Sequence, residues 1–214
     1  MNQQGPLRWI PGTGWLILAA PAPDSEVRSQ ALARSDGEGV TVYVSFADDR
    51  GDALMDDMED LGALAGYLVD FQVDRGAVLH KQLEHATMLV LETGTSLDAV
   101  LATLDEDVVD ALRHLYERGA VLLIEGLAMN VFGRWVLTDG GDIVDGLGWI
   151  ENAFVDPVSP GAENAVIHQI LQSFAEGIGI AIGEGSALVL GGDGTVEVWG
   201  RGDVQISLGR QYSQ

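Results

Sequence analysis

The run AVLLI, Ala120 to Ile124, passes through one tight turn, Glu125-Gly126-Leu127-Ala128-Met129, straight into a helical stretch. Five consecutive apolar residues make a strand that is buried on both faces, which a parallel sheet covered by helices provides. A strand-turn-helix junction in such a sheet pushes one side chain out above the strand ends. It also offers the next backbone N–H to a developing oxyanion, the geometry in which hydrolases hold a nucleophile. Here the turn contains no Ser, Cys or Thr. The junction is legible while the attacking group is missing from it.

The rest of the chain repeats the pattern. WLILAA (15–20), closed by Pro21 and Pro23, and the β-branched and aromatic VTVYVSFA (40–47) read as strands, as do TMLVL (87–91) and the shorter candidate at 67–73. Between them lie a helix capped by Asp24 or Ser25 and running to about Arg34, and an amphipathic helix with Leu54, Met55, Met58, Leu61 and Leu64 at helical spacing. A short helix at 80–85 and a helical stretch at 97–101 follow. The helix 105–118 lines Val108, Leu112 and Leu115 on one face, with acids in its first turn and Arg113, His114 and Arg118 in its last. Residues 1–14 read as an irregular arm pinned by Trp9 and Ile10.

Beyond the elbow come a Gly/Asp loop (138–148), an extended segment (149–155) and a helix opened by Asn164 that carries Val166, Ile167, Ile170, Leu171 and Phe174, with Ile167 and Leu171 setting its buried stripe. The period then changes to two. Segments 186–190, 195–199 and 203–208, separated by GGDG and GRG, predict an antiparallel meander. Helices alternating with apolar strands predict one α/β domain over 1–214, a three-layer αβα sandwich with a mostly parallel sheet and a C-terminal β-meander.

Charge and composition restrict the chemistry. The net charge is −22, with Lys81 the single lysine beside ten arginines, and such a chain repels phosphate backbones and anionic lipid surfaces. Nucleic acid and membrane are therefore not expected partners, and a protein or small molecule of unknown identity is. No apolar run reaches the roughly 18 residues of a membrane span. The start MNQQGPLRW lacks the basic, then apolar, pattern of a secretory signal, so a soluble cytoplasmic protein is expected. Without cysteine there are no disulfides, thiolate metal sites or cysteine nucleophiles. No cofactor or metal is implied: the acidic stretch DDRGDALMDDMED departs from the EF-hand spacing, and no H-E-x-x-H occurs.

Two stretches carry a resemblance. LEHATMLVLETGTSLDAVLATLDEDVVDALRHLYERGAVLLIEGLAMNVFG resembles the segment of the cyanophycinase and peptidase E family in which a strand ends in Gly-Gly-x-Gln and "RG" leads into a G-T-S-A-G-A elbow. GIGIAIGEGSALVLGGDGTVEVWGRGDVQISL is similar to the family's G-I-G-I-D-E-x-T-A segment and terminal strands. The resemblance covers about residues 15–208 and implies a class I glutamine amidotransferase-like fold. It places the family's elbow serine on Ala128 and the glycine after next on Asn130. The oxyanion Gly-Gly falls on Glu92 and Thr93, and the following Gln on Thr95. The histidine of the Asp-x-His motif falls on Val158, after Asp156 and Pro157, and the family's glutamate on Glu184. An alanine cannot attack a carbonyl and a valine cannot shuttle a proton. The resemblance thus implies a catalytically degenerate peptidase homologue, retained for binding, regulation or structure. Dimers occur in the family, so it also allows a homodimer.

Two replacements for the lost chemistry can be named. Ser96, at a strand end, and Ser159 are candidate relocated nucleophiles of a hydrolase, although each also reads as a helix cap or turn residue without a histidine nearby in sequence. His80, His85 and His114 read as helix-end residues, and His168 as the edge of a helix stripe. Glu92, Glu125, Asp156 and Glu184 all map to turns at one rim of the sheet, where open α/β folds bind ligands. Convergence there would hold a hard cation or a cationic ligand. The competing reading leaves Glu125 at a helix N-terminus and the other three in water.

Overall fold

Alternate residues of each central strand enter two different cores, which is why the strand sequences are apolar throughout. A computed structural model describes residues 5–22, 26–35, 39–45, 51–64, 66–92, 96–158, 165–201 and 204–212. In chain order its elements are β1 (Trp15–Ala20), α1 (Val27–Arg34), β2 (Val40–Ser45), α2 (Gly51–Asp60), β3 (Gly66–Leu68), α3 (Gly76–Leu83), β4 (Ala86–Glu92), α4 (Leu97–Thr103), α5 (Glu106–Glu117) and β5 (Val121–Glu125). A 3₁₀ helix (Gly126–Phe132) leads on to β6 (Trp135–Leu137), β7 (Ile143–Asp145), β8 (Ala153–Val158), α6 (Ala165–Ser173), β9 (Ile178–Gly183), β10 (Ser186–Gly191), β11 (Val196–Gly200) and β12 (Val204–Leu208).

The main sheet has the order β11-β10-β1-β5-β4-β2-β3. Strands β1, β5, β4, β2 and β3 are mutually parallel, and the hairpin β10–β11 closes one side antiparallel to β1. On one face Ile17, Ala19, Tyr43, Met88, Val90, Val121 and Leu123 pack under α1 and α2. On the other, Leu16, Leu18, Val42, Leu89, Leu91, Leu122 and Ile124 meet α3, α4, α5, the 3₁₀ helix and a second sheet. That second sheet runs β12-β9-β8, and β6 and β7 form a separate hairpin. The mostly parallel, three-layer α/β architecture is the one the hydrophobic pattern predicts. None of the helices among the described residues is long and apolar enough to cross a membrane.

Several elements differ from the reading by pattern. The candidate strand at 67–73 pairs only over Gly66–Leu68 and then turns, and the short helix expected at 80–85 runs over Gly76–Leu83. The Gly/Asp loop contains β7, and the segment expected as extended over 149–155 turns at Glu151–Asn152 and becomes strand only from Ala153, as β8 to Val158. The three terminal strands are antiparallel to their neighbours, but β12 leaves β11 and pairs with β9. Strand β9 itself, IGIAIG, was masked in the pattern by its glycines. Gly179 is required there, because a Cβ would stand 2.0 Å from Ile167 Cγ2 of α6. Asp24, Ser25 and Asn164, expected as helix caps, lie outside the described residues.

The N-terminal arm is anchored as expected. Trp9 is buried, bridges to Ile150 and donates its indole N–H to the Gly191 carbonyl at 3.1 Å. Beside it, burial pushes the Tyr116 phenol up to about 12, against the opposing influence of Trp9. A folded-state value above the ordinary 10 means that the fold favours the neutral phenol. This contribution is fully present below pH 10 and is lost as pH rises through about 12. At 1.36 kcal/mol per unit the loss amounts to about 2–3 kcal/mol. Denaturant unfolding at pH 9 and again near 12 should show a steeper loss of stability for wild type than for Tyr116→Phe. Equal losses would place the alkaline sensitivity elsewhere.

Candidate functional site at the carboxyl rim

Strand β5 ends at Glu125 and the chain turns at Gly126, whose φ of 67° is a left-handed conformation that glycine adopts without strain. The 3₁₀ helix begins at that same residue. The residue bent out of the strand line is thus Gly126, two positions before Ala128. Ala128 is itself fully buried in the apolar core. Gly126 stands at the position of the first glycine of the G-T-S-A-G-A motif, and Ala128 at that of its serine. Neither residue carries a group that can attack a carbonyl.

The other expected positions fall as follows. Ser96 is the N-cap of α4, its Oγ accepting from the Ala99 N–H at 3.4 Å, which is a helix-capping role. Val158 ends β8. Asp156 lies on β8, half-buried, and accepts a hydrogen bond from Asn130 Nδ2 at 3.3 Å. Glu184 is exposed in the turn from β9 to β10. All four histidines, His80, His85, His114 and His168, are exposed. Thr93, Thr95 and Ser159 lie outside the described residues.

Two of the four rim carboxylates do come together. Glu92 and Glu125 are register partners at the ends of the parallel strands β4 and β5. Their cation is supplied by the chain itself. Arg28, on α1, reaches over the strand ends and grips Glu125 through Nε to Oε1 at 3.0 Å and Nη2 to Oε2 at 2.7 Å. The same Nη2 lies 3.8 Å from Glu92 Oε1, and Nη1 donates to Asp57 Oδ2 of α2 at 3.0 Å. Glu125 is 2% exposed, Arg28 18% and Glu92 16%, whereas Asp57 at 65% is a solvated partner. Burial would pull the guanidinium down, but the hydrogen bond and charge of Glu125, with Glu92 and Asp57, outweigh it and hold Arg28 above its ordinary value. It is charged at every working pH.

Asp156 instead holds Asn130 of the 3₁₀ helix, and Glu184 stands exposed in its turn. Among the described residues no three His, Asp or Glu side chains are grouped so as to hold a metal ion. Arg28 and Asp57 escaped the sequence reading because the Arg28–Glu125 pair spans 97 residues and nothing local marks it. The signal that could have found Arg28 is weak: it is the position after buried Val27 on a helix laid over the sheet.

No protein-family model and no curated protein sequence matches the chain. Solved structures do resemble it. A peptidase from an acI-B1 Actinobacterium superposes with a TM-score of 0.69 over 92% of this chain and 95% of its own, at 15% sequence identity. The chain shares that protein's fold. A protein of Listeria monocytogenes EGD-e, provisionally named peptidase E, gives 0.67 over 89% of this chain and all of its own, at 12% identity. Identity this low shows a shared fold and leaves the chemistry to the residues themselves.

Proposed function

We propose that this chain is a member of the peptidase E and cyanophycinase group that has given up serine-peptidase chemistry and serves as a binding, regulatory or structural protein. The observation carrying the proposal is the elbow. Where a serine peptidase of this architecture presents its nucleophile, the chain turns on Gly126 and continues through Leu127 and buried Ala128. Electrostatics support the same reading. The carboxylate at the strand end, Glu125, is held in a bidentate pair with Arg28, so the rim is closed by an internal cation.

Purified protein should hydrolyse neither Asp-X dipeptides nor β-Asp-Arg polymers above the buffer rate. Ala128→Ser should recover nothing, because a hydroxyl placed in the core at 0% exposure reaches no substrate and meets no general base. Turnover of either substrate by wild type, abolished by Ser96→Ala, would replace this reading with a hydrolase whose nucleophile has moved.

A further inference from the structure

A cleft of about 330 Å³ opens between the N-terminal arm, the turns that lead into β8 and β9, and the 3₁₀ turn after β12 (Arg210–Tyr212), lined by Arg8, Glu151, Asn152, Glu176, Gln211 and Tyr212. Hydrogen bonds tie these walls together. The Trp9–Ile150 bridge fixes the arm, the Glu151 N–H donates to the Arg8 carbonyl at 2.9 Å, and the Ile178 N–H donates to the Asn152 carbonyl at 2.7 Å. The Gln211 N–H donates to the Ala175 carbonyl at 3.0 Å, and the Tyr212 phenol to the Glu176 carbonyl at 3.3 Å. Asn152 completes its turn with a φ of 53°, a left-handed conformation that asparagine tolerates better than most side chains. A recess built this way needs little reordering to receive a ligand.

The fold leaves the charges of this recess unused. Arg28, Arg34, Arg75 and Arg134 each hold a carboxylate at 3.3 Å or less. Arg8 lies opposite Glu151 across the arm's bridge, yet among the described residues neither side chain, nor that of Glu176, makes a hydrogen bond or ion pair. One guanidinium and two carboxylates therefore line a single recess without neutralising one another. Their complement is a molecule with one carboxylate and two cationic groups. The volume lies at the small end of ligand pockets, which run from roughly 300 to 1,000 Å³, and this limits the molecule to about the size of a single amino acid. A net charge of −22 favours the approach of such a cation.

We propose that this cleft binds a free basic α-amino acid, with its carboxylate on Arg8 and its α-ammonium and side-chain cation on Glu151 and Glu176. A guanidinium takes a carboxylate through two parallel N–H bonds, and the amides of Asn152 and Gln211 and the Tyr212 ring complete the lining. The site lies at the other end of the main sheet from the elbow. Trp9, next to Arg8, bonds the Gly191 carbonyl, and Gly191 pairs with Trp15 where β1 begins, whereas the elbow lies where β5, parallel to β1, ends. The proposal therefore stands independently of whether the elbow is catalytic.

Titration calorimetry of the intact chain with L-lysine at fixed ionic strength tests it. One molecule should bind per chain. Lysine methyl ester, which lacks the carboxylate, should bind about tenfold more weakly, the worth of one charged hydrogen bond. That comparison separates the site from general attraction to an acidic surface, which would favour the more cationic ester. Norleucine, without the side-chain ammonium, and Nα-acetyl-lysine, without the α-ammonium, should each lose about tenfold as well. Arg8→Gln should weaken lysine binding by about the same factor and abolish its advantage over the ester. Glu151→Gln combined with Glu176→Gln should abolish its advantage over norleucine. All three positions are exposed, and matching circular dichroism and melting would establish that each variant folds. Absence of saturable lysine binding overturns the proposal. So does binding indifferent to Arg8→Gln, an ester bound as tightly as lysine, or acetyl-lysine bound as tightly, which would make a peptide C-terminus the ligand instead.

Discussion

Replacing Arg28 with alanine should destabilise the fold by about 3–5 kcal/mol, the cost of leaving a buried carboxylate without its partner. The residue left behind is Glu125, 2% exposed at the end of β5, with Glu92 beside it in register. Without the guanidinium, two carboxylates face each other across adjacent strands, one of them out of reach of water. Asp57 adds little to the expected loss because it is 65% exposed and screened by solvent. For a chain of this size the change corresponds to roughly 6–20 °C in melting temperature. Two further variants separate the pair from mere packing. Arg28→Met with Glu125→Gln removes both charges and should recover most of the stability lost by Arg28→Ala. Guanidinium or free arginine, compared with NaCl at equal ionic strength, should raise the melting temperature of Arg28→Ala and leave wild type unmoved. If the single and double variants were equally unstable, the role assigned to this ion pair would be wrong.

Trp149→Ala is expected to cost a similar amount, about 3–5 kcal/mol for a fully buried tryptophan. Its ring lies edge-on to Phe132 of the 3₁₀ helix at 5.1 Å and near Tyr116 of α5 at 5.8 Å. Its carbonyl accepts from the Ile10 N–H at 2.8 Å, and the next residue, Ile150, donates to the Phe132 carbonyl at 3.0 Å. Trp149 therefore joins the N-terminal arm, α5 and the segment that follows the elbow. Its loss should loosen all three, and amide exchange should report faster opening at Ile10 and Ile150 than in strands β1 and β5. A uniform rise in exchange across the sheet would instead mean that the cavity weakens the whole core without releasing the arm.

The sheet was readable because its cause is written in consecutive residues: WLILAA and AVLLI must be apolar at every position when both faces are covered. Helix α5 was readable for a similar reason, with Asp105 capping Val108 N–H at 3.1 Å and an apolar stripe facing the core. Strand β9 was not, since Gly179 within it answers to the approach of Ile167 from α6, a contact no local window contains. The partner of β12 was hidden likewise. The turn after β11 suggests a continuing meander, and only the packing of the two sheets sends β12 to β9. At the rim, Glu92 and Glu125 are neighbours because β4 and β5 end in register. The guanidinium between them is a long-range choice among eleven cations, decided by where α1 lies over the sheet.

The measurement that bears most directly on the loss of the nucleophile is covalent labelling by a serine-reactive fluorophosphonate probe, followed by intact mass and peptide mapping. The chain, turning on Gly126 with Ser96 engaged as a helix cap, should acquire no stoichiometric adduct under conditions that fully label an active serine peptidase run in parallel. Stoichiometric modification of one serine, at Ser96, Ser159 or any other position, with its loss on substitution by alanine, would contradict the account and make the chain an enzyme.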